Sequence, residues 1–171
     1  MSIAAEVQRI RDVFSVGTDI RVPPFQRAYA WEDEETEILI KDLLEAFRSN
    51  TTYFLGAIVV IRPKNKGPSD VVDGQQRLTT IAVLICAMRT FLDPESKEYR
   101  RLTKLLINED YDELDYFKLL PTQPDRPAFQ ALVGAKPQPG TRFTEALEFF
   151  KKKIARSEER RVGKECLRLC R

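Results

Sequence analysis

Five consecutive residues read Asp-Gly-Gln-Gln-Arg, and side chains of these types at adjacent positions could hold a phosphorylated ligand. Asp73 can ligate a divalent cation or orient water, and Gly74 permits a backbone conformation that is closed to other residues. Gln75 and Gln76 offer donors and acceptors, whereas the Arg77 guanidinium suits two-point contact with phosphate or carboxylate oxygens. The segment therefore predicts a site for an anion together with a metal ion.

The same segment also has a purely structural interpretation. Asp73 could cap a following helix, while the two glutamines remain solvated. Arg77 could pair with a nearby acid such as Asp70. The residue types alone leave both interpretations open.

Strongly apolar segments on both sides place this motif where a strand meets a helix. Residues 53–61 and 70–72 are typical of buried strands, and residues 78–92 predict a helix that is apolar almost all round. The first backbone N–H groups of such a helix have no internal partner, and together with the helix dipole they favour an anion. Phosphate is the anion that this arrangement suggests.

Elsewhere, the periodicity of apolar residues predicts further helices and leaves one segment ambiguous. Segment 111–120 is open between strand and helix. Helices are predicted over residues 3–14, 32–47, 96–107 and 141–155.

A second polar cluster lies in residues 22–31, which contain two prolines, an amide, a cation and three aromatic side chains. Pro24 biases Pro23 towards an extended conformation, so the stretch is expected to run as an edge strand or rigid loop. Such a loop would deliver Gln26 and Arg27 to a defined place.

The three aromatic residues of this stretch are Phe25, Tyr29 and Trp31, and they have two interpretations. Tyr29 and Trp31 could stack on a base, or all three could close the core. For Trp31, directly ahead of a predicted helix, the core is favoured. The proline-rich loop 121–127 adds Asp125 and Arg126 as weaker candidates for site residues.

The strings PPFQRAYAW, YFLGAIVVI and DGQQRLTT, in this order and at similar spacing, resemble the N-terminal domain family of GmrSD-type, modification-dependent (type IV) restriction endonucleases. The resemblance covers roughly residues 3–133, and three ordered motifs are more specific than any one of them. That family looks like a branch of the ParB and sulfiredoxin superfamily. The resemblance therefore implies an α+β fold, in which a small mixed sheet packs with helices and binds a nucleotide or DNA through a strand-to-helix turn.

The resemblance implies a sensor domain that binds and hydrolyses a nucleoside triphosphate, with GTP favoured and Mg²⁺ as the metal. In the family, cleavage belongs to a separate nuclease, so the implied partners are modified foreign DNA and an HNH-type nuclease domain or subunit. The residues carried over are Asp73, Gln75, Gln76 and Arg77 as catalytic, Asp73 as metal ligand, and Gln26, Arg27, Gly74 and Arg77 as nucleotide-binding.

Composition excludes several other chemistries within these 171 residues. The chain contains no histidine, which excludes an HNH nuclease or a histidine-based metal site, and it lacks a GxxxxGK[ST] element. The polar turn lacks the cysteine that the resemblance to sulfiredoxin would require, which disfavours thiol reductase chemistry, and Cys86 is predicted to be a core residue. Free cysteines, and the lack of a signal peptide or membrane-spanning run, predict a cytoplasmic protein without membrane contact.

The C-terminal segment 156–171 resembles a translated sequencing adapter, since RSEERRVGKEC is one reading frame of such an adapter. We therefore expect residues 1–155 to form one domain, truncated at its C-terminal side, and residues 156–171 to be a non-native tail. This tail holds six basic and three acidic residues, so its removal changes the net charge from +2 to −1. Any contact of the domain with DNA must then be local.

Two other functions compete with nucleotide hydrolysis. In the first, a non-enzymatic module senses DNA or docks a partner, and Arg27, Arg77, Tyr29 and Trp31 face a DNA backbone or a modified base. In the second, the Asp-Gly-Gln-Gln-Arg segment is itself a nuclease site. Only Asp73 in it is a strong metal ligand, which makes the nuclease the weakest of the three.

Overall fold

A computed structural model describes residues 5–14, 19–63, 67–108 and 116–156. In these residues a small four-stranded mixed sheet packs with six α-helices, which confirms the predicted α+β class. The helices are α1 (Ile10–Val13), α2 (Asp33–Arg48), α3 (Gln75–Arg89), α4 (Lys97–Thr103), α5 (Arg126–Val133) and α6 (Arg142–Arg156), and a 3₁₀ turn spans Gln123–Asp125. The strands are β1 (Ile20–Arg21), β2 (Val59–Ile61), β3 (Ser69–Asp73) and β4 (Leu119–Leu120).

The sheet has the strand order β2-β3-β1-β4, so β3 and β1 are its two interior strands. Strand β1 runs parallel to both of its neighbours, and Ile20 lies opposite Ser69 on one side and Leu119 on the other. Strand β2 pairs antiparallel with β3, and Val60 lies opposite Val71, which is fully buried. Strand β3 ends at Asp73, and a single residue separates it from α3, which agrees with the predicted strand-to-helix junction.

Helix α3 is the central helix of the core, because every residue from Leu78 to Arg89 is buried. Helices α4, α5 and α6 all pack against it. The Phe143 ring of α6 stacks on Tyr29 at 5.0 Å and meets Phe129 edge-on at 5.7 Å. Contact on all sides explains why the α3 sequence is apolar almost all round.

The predicted helices over 32–47, 78–92, 96–107 and 141–155 correspond to α2, α3, α4 and α6. The predicted helix over 3–14 is wrong in length, because α1 is a single turn and Val7 is fully exposed. An isolated helical segment without an apolar face buried against a partner is marginal, so only the turn that Phe14 anchors in the core is helical. Residues 1–4 and 15–18 lie outside the described part of the chain.

The predicted strand over 53–61 is also too long, since β2 contains only its last three residues. Gly56 adopts a φ of 102°, which a regular strand does not tolerate. The side chains of Val59 and Ile61 are about half-exposed and Val60 is only partly buried, so β2 is not the buried strand that the sequence predicts. The chain before β2 is therefore a shaped loop that passes the start of α3.

Two buried cations bind the carboxyl ends of helices. Lys118 donates from Nζ to the carbonyls of Phe14 at 2.8 Å and Lys104 at 2.6 Å, and burial lowers the pKa of its amine. Arg89 donates to the Val133 carbonyl at 2.9 Å. These carbonyls have no acceptor role inside their own helices, and the helix dipole favours a positive charge beside them.

Candidate functional site

The junction between β3 and α3 is formed by Gly74, whose φ is 86°. This left-handed residue is the N-cap of α3, and no side chain caps the helix. The proposed capping role of Asp73 is therefore wrong. The helical ladder begins where Leu78 donates to the Gly74 carbonyl at 3.0 Å, so the N–H groups before it are left for another acceptor.

One wall of the junction is held by a pair of glutamines. Gln26 donates from Nε2 to the Val72 carbonyl at 2.9 Å, and its Oε1 accepts from Nε2 of Gln75 at 2.9 Å. Gln26 is thus held at a defined place, as predicted for the proline-rich segment, and that place is beside the motif. Gln75 retains an amide oxygen that none of the hydrogen bonds of the described residues occupies.

Gln76 holds the same segment further along. Its Nε2 donates to the Ala28 carbonyl at 3.0 Å, and its Oε1 accepts from the Ala30 N–H at 2.9 Å. The side chain is buried, and its amide satisfies one backbone carbonyl and one backbone N–H on either side of Tyr29, as a neighbouring strand would.

Removing this side chain should destabilise the fold measurably. We expect Gln76→Ala to cost about 2 kcal/mol, because it leaves two backbone groups without partners. Urea denaturation followed by circular dichroism measures the cost. Gln138→Ala, in an exposed loop, is the matched control and should change the free energy of unfolding by less than about 0.5 kcal/mol. Equal costs for the two variants would contradict the anchoring role of Gln76.

The opposite wall is held by Arg77. Its Nη1 donates to the Leu55 carbonyl at 3.0 Å and its Nη2 to the Ala57 carbonyl at 2.8 Å. The guanidinium lies directly over Gly56, where an added Cβ would be 1.8 Å from Nη1. Asp73 is the only acid that Arg77 meets in the described residues, at 3.8 Å.

The suggested ion pair between Arg77 and Asp70 is wrong. Asp70 pairs instead with Arg21, with an N–O distance of 2.9 Å. The two residues lie opposite each other on neighbouring strands, so this pair stabilises the centre of the sheet and is not part of the junction.

Tyr29 is a core residue, which agrees with one of its two interpretations, so the other interpretation, that it stacks on a base or faces DNA, is wrong. Besides its contact with Phe143, its hydroxyl lies 3.0 Å from the Thr80 hydroxyl, and its N–H donates to Asp125 at 2.7 Å. Burial raises the pKa of its hydroxyl to about 12. Asp125 also accepts a hydrogen bond from the Thr122 hydroxyl at 2.8 Å, so it ties the backbone at Tyr29 to the loop 121–127.

The family model described as the GmrSD restriction endonuclease N-terminal domain matches residues 10–169. The chain belongs to this family. It is therefore a domain of a restriction system, which is a form of phage defence, and the resemblance inferred from the three motifs is confirmed. No curated protein matches the chain. The matched range includes most of segment 156–171, so the non-native tail and the boundary at residue 155 remain predictions.

In this GmrSD domain the structure brings together most, but not all, of the predicted site residues. Asp73, Gly74, Gln75, Gln76, Arg77 and Gln26 meet at the junction. Arg27 is exposed, and it has no hydrogen bond or ion pair in the ranges that the structure describes. Backbone hydrogen bonds lower the pKa of Glu35 at the start of α2, and Arg27 contributes to this effect. Arg27 therefore lies near the start of α2.

Sequence reasoning missed the residues that fasten the second wall of the GmrSD site. The acceptors there are backbone carbonyls at Leu55 and Ala57, which leave no side-chain signal. Gly56 carries the one available signal, a glycine inside an otherwise continuous apolar run. Asp125 is a different case, because its side chain was a weak candidate in the sequence. Its contact with the Tyr29 N–H exists only because the fold brings two distant segments together.

The GmrSD junction can fit a metal ion only in partnership with a ligand. Within the described ranges, no three acidic, histidine or cysteine residues cluster into a metal site. The Asp73 side chain is 66% exposed, and it makes a weak ion pair with Arg77 at 3.8 Å. One carboxylate with phosphate oxygens is a usual environment for Mg²⁺, so the donor set is compatible with a shared ion.

A groove of about 740 Å³ lies between the starts of α2 and α6. Trp31 lines it beside Phe149, Arg142 and Glu32. Trp31 is partly buried and packs against the hydrophobic core, as favoured from the sequence, and it also forms part of the groove wall. Among the described helices of this GmrSD domain, none is long and apolar enough to cross a bilayer.

Proposed function

We propose that the β3–α3 junction binds the phosphates of a nucleoside triphosphate, with GTP favoured, and that the domain hydrolyses it as the sensor of a modification-dependent restriction system. The observation that carries this proposal is the left-handed Gly74 cap, because it leaves the first N–H groups of α3 without a side-chain acceptor. A helix start of this kind favours phosphate through both its N–H groups and its dipole.

The candidate side chains divide into those that bind ligand and those that hold the walls. Asp73 is exposed at the end of β3, where a Mg²⁺ ion shared with the phosphates would offset their charge and polarise the scissile bond. Arg77 uses only two of its five N–H donors on carbonyls, so others remain for a phosphate oxygen. Gln26 and Arg27 complete the pocket.

Hydrolysis requires a water molecule placed in line with the γ-phosphoryl group. Gln75 is the better candidate to orient it, because its amide oxygen is available whereas both amide atoms of Gln76 bind backbone. The water oxygen attacks the γ-phosphorus, the bond to the β-phosphate oxygen breaks, and the products are a nucleoside diphosphate, phosphate and a proton. In the restriction system, this turnover would license a partner nuclease of the HNH type to cleave modified foreign DNA.

The non-enzymatic DNA module is less well supported, because Tyr29, one of its four contact residues, is buried in the core. Salt dependence of binding separates the two functions. A DNA module would bind DNA without nucleotide and lose affinity steeply with salt.

Equilibrium binding of GTP, ATP and CTP with Mg²⁺ to the full chain tests the proposal. We expect Asp73→Asn to weaken Mg²⁺-dependent binding at least about tenfold and to abolish phosphate release, because it removes the anionic ligand of the ion. Asp93→Asn, at the far end of α3, is the matched control and should behave as wild type. The proposal fails if the folded wild-type chain binds none of the three nucleotides.

A further inference from the structure

The most exposed aromatic side chains in the described residues belong to the two chain segments that form the walls of the junction. Phe25 is 78% exposed and Phe54 is 77% exposed, which contradicts the expectation that Phe25 closes the core. Phe25 directly precedes Gln26, which binds Gln75, and Phe54 directly precedes Leu55, which binds Arg77. Single exposed apolar residues are ordinary, but two exposed aromatic residues that are next in sequence to residues held at one helix start call for an explanation.

The backbone that carries each ring is held in place. Phe25 is at the third position of a turn whose first and last residues are joined by a 3.0 Å bond from the Gln26 N–H to the Pro23 carbonyl, and Pro24 fixes the second position. Phe54 is adjacent to a carbonyl that the Arg77 guanidinium holds. Rings on fixed backbones lose little further freedom when they bind a ligand.

We infer that Phe25 and Phe54 form a stacking platform for the base of the nucleotide whose phosphates lie at the start of α3. This inference rests on the proposed function and deepens it. A site that offers N–H donors for phosphate oxygens and flat apolar surface for a ring suits a nucleotide. Inorganic phosphate and an acidic peptide lack one of these two parts. Every base has an aromatic face, so the platform supplies affinity and leaves discrimination between bases to polar groups.

Comparison of two ligands tests the platform in the full chain. Mg²⁺–GTP contains a base, whereas Mg²⁺–tripolyphosphate has the phosphates alone. We expect Phe25→Ala and Phe54→Ala each to weaken GTP binding by roughly fivefold to a hundredfold, as base stacking elsewhere does. Tripolyphosphate binding should stay unchanged, and Phe25→Tyr and Phe54→Tyr should bind GTP as wild type.

Phe91→Ala is the matched control. Phe91 is also exposed, but it follows the other end of α3, roughly 22 Å from the junction for a helix of 15 residues. This variant should bind both ligands as wild type. Circular dichroism confirms that each variant is folded.

Three results would overturn the platform. One is an unchanged affinity for GTP in a folded Phe25→Ala/Phe54→Ala double variant, and another is an equal loss for GTP and tripolyphosphate. The third is a wild-type chain that binds tripolyphosphate as tightly as GTP, in which case the phosphate site stands and only the platform fails. If the wild type binds neither ligand, the proposed function fails together with it.

Discussion

Gly56→Ala is expected to lower the free energy of unfolding by about 3 kcal/mol, from left-handed strain of about 1–2 kcal/mol and the loss of two partly exposed hydrogen bonds that the Arg77 guanidinium donates. The added Cβ would lie 1.8 Å from Nη1 of Arg77, so the guanidinium must leave the carbonyls of Leu55 and Ala57. Urea denaturation measures the loss. It is a sizeable share of the total stability of a typical domain.

Gly140→Ala separates backbone strain from the clash. Gly140 also has a left-handed φ, of 72°, but nothing lies within 4 Å of an added Cβ. It should therefore cost only about 1–2 kcal/mol. Addition of Arg77→Ala to Gly56→Ala should cost little more, because the contacts it removes are already lost. Equal costs for the two glycine variants, or additive costs in the double variant, would show that Arg77 does not clamp this loop.

Stability should fall steeply in alkali because two buried groups resist ionisation. Burial raises the pKa of the Cys86 thiol from 9.0 to about 12 and that of the Tyr29 hydroxyl from 10.0 to about 12. In the unfolded chain both groups lose their protons at their ordinary pKa. The contribution of these two groups to the free energy of unfolding is thus complete below pH 9, and it is lost as the pH rises to about 12. At about 1.4 kcal/mol for each pKa unit, the loss is several kcal/mol.

Urea denaturation at pH values from 8 to 11.5 tests this expectation. Tyr29→Phe and Cys86→Ala should each flatten the alkaline fall, whatever they do to stability at pH 8. Lys118 acts in the opposite direction, because its lowered pKa makes the folded state gain stability as the pH rises towards 10.5. A wild-type chain with constant stability up to pH 11.5 would contradict the burial of both groups.

The elements that the sequence predicts well are those whose signal is local. The apolar run of α3, the Gly74 turn and the proline-rich approach of Gln26 all follow from neighbouring residues. The junction itself was therefore predictable, including which motif segments meet there.

What could not be predicted depends on partners that are distant in the chain. Tyr29 is buried because Phe143 stacks on it and Asp125 accepts its N–H, and both lie about a hundred residues further on. Arg77 has the side chain of a phosphate ligand, yet two backbone carbonyls bind it, and carbonyls are common to every residue. The local sequence pattern carries no information about the packing partner of Tyr29 or about the acceptors of Arg77.

The interior position of β1 has a consequence for how the domain forms. Ile20 must pair with Ser69 and Leu119, which lie roughly 50 and 100 residues later, so the sheet has a high contact order and is expected to fold slowly. During synthesis at roughly 5–20 residues per second, β1 leaves the ribosome at least several seconds before its second neighbour exists. Throughout that interval one side of the β1 backbone has no partner strand, which leaves it open to pairing with another chain.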